Sequence, residues 1–144
     1  MSGNVTIPYL SIVVYKGDPL ENREKRRTAL WLRFRGFSPD LLVRIVGEYG
    51  SLMLSVAECD DLLEHIDTKR RTIGVGPLTS AIPPDELLDV VRNVPVNNKE
   101  RDSNSHTWII SVLGSMDNMG WLMSEDWNRA FDKMMDALNP AEPL

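Results

Sequence analysis

Short apolar runs rich in β-branched and aromatic residues, bounded by glycine and turn sequences, occupy the first half of the chain, and beyond residue 78 the apolar residues return every third or fourth position instead. Tyr9 to Tyr15 (YLSIVVY) is a β-branched and aromatic run closed by the turn sequence Lys16-Gly17-Asp18-Pro19, and it reads as a strand. A second strand starts near Arg27, where Ala29, Trp31 and Arg33 alternate with Leu30, Leu32 and Phe34. Leu41 to Val46 (LLVRIV) ends at Gly47, and Leu52 to Val56 follows after Glu48-Tyr49-Gly50. That is hairpin spacing with glycine available for a positive φ, so the third and fourth strands are expected to pair antiparallel. Glu58 to Arg71 is polar and mixed in sign, and it offers no firm element beyond one amphipathic turn from Leu62, Leu63 and Ile66. Thr72 to Leu78 reads as a short strand or extended connection, weakened by Gly74, Gly76 and Pro77.

The helical signals come afterwards. Pro83-Pro84-Asp85-Glu86 suits a first helical turn, because proline needs no amide partner there and acids favour the positive dipole end. Leu87, Leu88, Val90 and Val91 supply the apolar stripe of a helix that stops before Pro95. From Ser103 or Asn104, either of which can cap exposed amides, Trp108, Ile109, Val112, Leu113 and Met116 recur at helical spacing until Gly120. Ser124 is placed to cap a last helix, with Glu125 and Asp126 in its first turn and Trp127, Ala130, Phe131, Met134 and Leu138 along one side. Strands first and helices last predict an α+β fold, a mostly antiparallel sheet from the N-terminal half carrying about three helices from the C-terminal half. The length of 144 residues, with no internal repeat and no long linker, predicts one domain over residues 1–144.

Composition narrows the function classes. The net charge of −5 opposes broad contact with a phosphate backbone, so nucleic acid is not an expected partner. No apolar run reaches membrane-spanning length, and the N-terminal stretch lacks the basic segment of a secretory leader. The single cysteine, Cys59, cannot form an intrachain disulfide. A cytoplasmic protein outside the membrane is the expectation. No paired-cysteine or HExxH pattern accompanies His65, His106 and Cys59, so no metal is expected. The acids Glu58, Asp60, Asp61, Glu64 and Asp67 lack the ligand alternation and mid-loop glycine of a calcium loop and read as a solvated loop. Gly74 and Gly76 do not form a phosphate-binding loop, and no cofactor is expected.

Two features carry candidate chemistry. Arg23, Lys25, Arg26, Arg27, Arg33 and Arg35 form a basic stretch, and Arg44 interrupts an otherwise apolar strand. These read either as a solvated strand entry or as a site for an anionic small molecule, since a guanidinium presents a planar donor fork to carboxylate or phosphate oxygens. Asn104-Ser105-His106 opens the long helix, where free amides and the dipole favour an anion or a nucleophile, or where simple capping suffices. Ser105 and His106 stand about 100° apart on a helix and do not form a Ser–His pair.

The strings VYKGDP, KRRTALWLRF, LVRIVGEYG, GVGPLTS, NVPVNN and SNSHTWIISVLGSMDNMGWL resemble a group of small fungal proteins, over about Tyr15 to Ala137. In that group the second strand begins Arg-His-Thr-Ala-Leu, the next carries a His before Val-Val-Gly, and the long helix begins Asn-Cys-Gln-x-Trp. A His on a strand ahead of a Cys at a helix N-terminus is the order of a circularly permuted papain-like domain, in which the helix end lowers the thiol pKa and the His acts as base. Here Arg27 and Arg44 stand where the group has its histidines, and Ser105 with His106 where it has Cys-Gln. A guanidinium is no general base and a serine has no accessible thiolate, so cysteine-hydrolase activity is not expected.

The resemblance with these departures implies a cofactor-independent cyclase or isomerase of a small metabolite in fungal specialised metabolism. In that reading Arg27, Arg44 and Ser105 stabilise negative charge and His106 exchanges a proton, while Trp31, Asn104 and Trp108 line the substrate site. The alternative is a non-catalytic pseudo-hydrolase that binds a protein or a small, anionic ligand. A serine hydrolase built on Ser105 ranks below both. A homo-oligomer is compatible with all three.

Overall fold

The computed structural model describes residues 6–16, 26–36, 38–47, 50–66, 69–96, 105–139, 141 and 143–144, with Ser105 described by its backbone only. Strands β1 (Tyr9–Lys16), β2 (Arg26–Arg33), β3 (Leu41–Val46) and β4 (Met53–Glu58) follow one another as a meander, and β5 (Arg70–Pro77) completes the sheet on the far side of β1. The spatial order is β4-β3-β2-β1-β5, and every neighbouring pair is antiparallel. Helices α1 (Pro84–Asn93), α2 (Ser105–Asn118) and α3 (Ser124–Leu138) form the C-terminal half, so the α+β architecture is as the pattern predicts.

Alternation assigns each strand residue to one side. Leu10, Ile12, Val14, Leu30, Leu32, Val43, Ile45 and Ile73 face the helices and join Leu87, Val91, Trp108, Ile109, Val112, Leu113, Met116, Ala130 and Met134 in the main core. Helix α2 lies against β2, and α3 lies against β5 and β1. The join between these helices follows from Gly120, whose φ of 76° is open to glycine at little cost. Its amide donates to Asp117 O at 3.0 Å and that of Trp121 to Met116 O at 2.9 Å, closing α2 with the paired bonds of a Schellman cap. Pro84 is the first residue of α1, as its missing amide allows. Ser124 differs from expectation: it is the first helical residue of α3, Met123 takes the cap position without a side-chain bond, and the Ser124 hydroxyl donates to Asp117 Oδ1 at 3.4 Å. The helix is entered directly from the α2 cap, so the serine lies one residue too late to cap it. Ser103 and Asn104, the expected caps of α2, lie outside the described residues.

The other side of the sheet carries a smaller core of Val13, Tyr15, Ala29, Trp31 and Leu42, covered by Cys59, Leu62 and Ile66. These last three belong to the stretch whose sequence offers no firm element. Its ends differ from that expectation, since Glu58 extends β4 and Arg70 and Arg71 open β5; among the described residues between them it forms a 3-10 turn over Leu62–Glu64, capped by Asp61, whose carboxylate accepts from Leu63 N at 3.0 Å. Leu62 and Ile66 are buried while Leu63 is exposed, so the amphipathic turn exists with two of its three residues inward.

Candidate functional site

Cross-strand partners point to the same side of a sheet, and this fixes where each candidate residue goes. Arg27 pairs with Tyr15, and Arg44 pairs with Ala29. Both partners belong to the smaller core, so the two arginines leave the sheet on the side away from the helices. Trp108 is buried in the main core on the opposite side, where its indole nitrogen donates to Val94 O at 3.3 Å. Helix α2, which begins with Ser105 and His106, packs on that same helical side. The structure therefore brings Arg27, Arg44 and Trp31 to one side of the sheet and His106 and Trp108 to the other, and it does not unite them in one cleft. Asn104 lies outside the described residues.

Arg44 and Trp31 are engaged in holding the covering segment. The Arg44 guanidinium donates to His65 O at 3.4 Å, and Arg70 donates to Ile66 O at 3.3 Å. The His65 ring donates through Nε2 to Glu58 O at 2.8 Å, which fixes its tautomer. The Trp31 indole donates to Cys59 O at 3.0 Å, and Cys59 N donates to Asp40 O at 2.8 Å. Burial and the nearby acids Glu64, Asp61, Asp60 and Asp40 push the Cys59 thiol pKa up, so it remains a protonated core residue and no nucleophile. His106 is half-buried, and burial lowers its pKa, favouring the neutral ring. Among the described residues, no group of three or more His, Cys, Asp or Glu is arranged to hold a metal ion.

One end of the same sheet side is left open beyond the covering segment. There Tyr9, Arg33, Arg35 and Asp40 line a depression of about 350 Å³. Its geometry is built by neighbours in the sequence and across the sheet. Tyr9 and Arg33 are cross-strand partners. The Arg33 guanidinium lies over the Trp31 ring, 4.4 Å from its centroid, and turns Nε toward Asp40 Oδ2 at 3.8 Å. Asp40 is itself fixed, since its Oδ1 accepts from Phe34 N at 2.9 Å. Arg35 has φ 55°, a left-handed conformation uncommon outside Gly, Asn and Asp, and Gly36 follows with φ 86°. Tyr9 lies over Gly74: a Cβ there would stand 2.5 Å from the Tyr9 hydroxyl. Two guanidinium groups, one phenol and one carboxylate give this depression a net positive lining suited to an anion.

The basic stretch of the sequence contains Arg33 and Arg35, but Tyr9, Asp40 and Gly74 escape a reading of the sequence because they come from three other parts of the chain. The available signal was Arg35-Gly36 followed by Ser38-Pro39-Asp40, a turn that returns a carboxylate to the arginine strand. Comparison of the chain with family models, with curated proteins and with solved structures finds no match.

Proposed function

We propose that this protein is a non-catalytic binding module that holds a small organic anion, a carboxylate or a phosphate ester, in the depression formed by Tyr9, Arg33, Arg35 and Asp40. The observation that carries the reading is the orientation of Arg33, stacked on Trp31 and steered by Asp40 at the rim of an open depression. A guanidinium already ordered by its neighbours loses less rotamer freedom on meeting a ligand, which favours affinity. Arg35 adds a second cation at the rim, and the Tyr9 hydroxyl adds a neutral donor. A cyclase or isomerase acting through Arg27, Arg44 and Ser105 needs those groups in one cleft, and the placement of the arginines and of α2 on opposite sides of the sheet favours binding instead.

The test is an amide NMR titration with succinate, citrate and inorganic phosphate. The expected result is shifts centred on Tyr9 and on Arg33 to Asp40, with a dissociation constant near 1 mM or below, on the order of what a few charge-assisted bonds supply. An Arg33→Gln, Arg35→Gln variant should weaken the binding by about tenfold or more, since each lost charged contact is worth about 1.5 kcal/mol or more. Absence of shifts at the depression, or shifts confined to the start of α2, refutes the reading.

A further inference from the structure

The two edges of the sheet are built differently. At the β5 edge, Arg70 and Arg71 lie at one end and Pro77 at the other, and the pairing with β1 is interrupted by a bulge between Leu10 and Ser11. Arg129 of α3 donates to Val75 O at 3.2 Å, so the helix also covers part of that edge. Charge, proline, a bulge and a covering element are the devices that keep an edge strand from pairing with another chain. The β4 edge has neither proline nor bulge, and the His65 ring caps it at the Glu58 end. Its sequence is MLSVAE, its six residues pair with β3 without a register shift, and Glu58 is its only charge. Met53 is 62% exposed, and Leu54 and Val56 are half-buried at the margin of the main core. The helices pack on β1, β2 and β5, with little contact to β4.

We infer that β4 pairs antiparallel with β4 of a second copy of this chain, joining two five-stranded sheets into one of ten strands. A two-fold axis perpendicular to the sheet keeps both helical layers on one side and pairs residues of like parity. With the axis at Ser55, Ser55 meets Ser55 of the second copy, Leu54 meets Val56 and Met53 meets Ala57, and the paired strip ends before Glu58, whose carbonyl accepts from the His65 ring. The strip is self-complementary: the Glu58 carboxylate of each copy lies outside it, and the apolar Leu54 and Val56 of both copies form one patch continuous with the two cores. This pairing is independent of the anion site, which lies at the Arg33 end of β2.

Sedimentation of the wild-type chain at about 100 µM, where an interface of micromolar affinity is filled, should give a dimer. Ser55→Cys places two thiols directly across the axis, within reach of a disulfide, and should cross-link on mild oxidation while the buried Cys59 does not. Ser55→Glu should sediment as a monomer with an unchanged circular dichroism spectrum, because the new carboxylate faces Arg44 within the chain but its own copy across the axis. Thr72→Lys, on the β5 edge, should leave the dimer intact. A monomeric wild-type chain overturns the inference. So does a dimer that Ser55→Glu leaves intact, that Thr72→Lys dissociates, or that Ser55→Cys fails to cross-link.

Discussion

Trp31 illustrates how one residue serves both packing and the candidate site. It is 9% exposed, its ring face carries Arg33 and its nitrogen holds Cys59 O. Trp31→Phe keeps a ring but strands the carbonyl, and should cost about 1–3 kcal/mol in urea unfolding. Gly74→Ala tests the neighbouring contact. The added methyl must displace the Tyr9 hydroxyl, which is the far end of a movable side chain, so anion affinity should fall more than stability does. His106 gives the folded state a pH dependence. Its pKa is lowered in the fold, so below the ordinary value of about 6.5 the unfolded chain takes up a proton that the folded chain resists. Stability should therefore decline as pH falls from about 7 through that value toward the lowered pKa, and His106→Gln should flatten the decline in denaturant titrations at several pH values. Cys59 acts at the other end: its pKa is raised, so its contribution is present below about 9 and is lost as pH rises toward the raised value.

At the scale of elements, the strands were legible as β-branched runs between turn residues and the helices by their period, and what escaped was the side each one faces. Within β2 the sequence shows that Arg27, Ala29, Trp31 and Arg33 share one side and Leu30 and Leu32 the other. It does not show which side receives the helices, because both sides carry apolar residues and both are covered. That is why three groups aligned with a resembled motif separate across the sheet. Gly120 was legible for the opposite reason, since a glycine after a helical run has one common use. Gly120→Ala forces a side chain into the left-handed region and should lower stability by about 1 kcal/mol, read as a drop in Tm with α2 and α3 still formed.

Across the whole molecule, the decisive feature is the path from β4 at one edge to β5 at the other. It carries Leu62 and Ile66 over the sheet side opposite the helices, and their burial among Tyr15, Trp31 and Leu42 is what fastens it. Ile66→Ala should cost about 2–5 kcal/mol and release the segment, seen as faster amide exchange at residues 59 to 66 than in the strands. The polar composition of this stretch concealed the role, because two buried residues among many charged ones leave no period to read. The path also sets an order of events during synthesis. β2 follows β1 closely, but the partner of the other edge of β1 is not complete until residue 77 has been made, 77 − 33 = 44 residues after β2 ends. At about 5–20 residues per second the ribosome needs roughly 2–9 s for that stretch, during which YLSIVVY stands as an open, apolar edge. A nascent chain stalled in this interval is the form of the protein most in need of a chaperone.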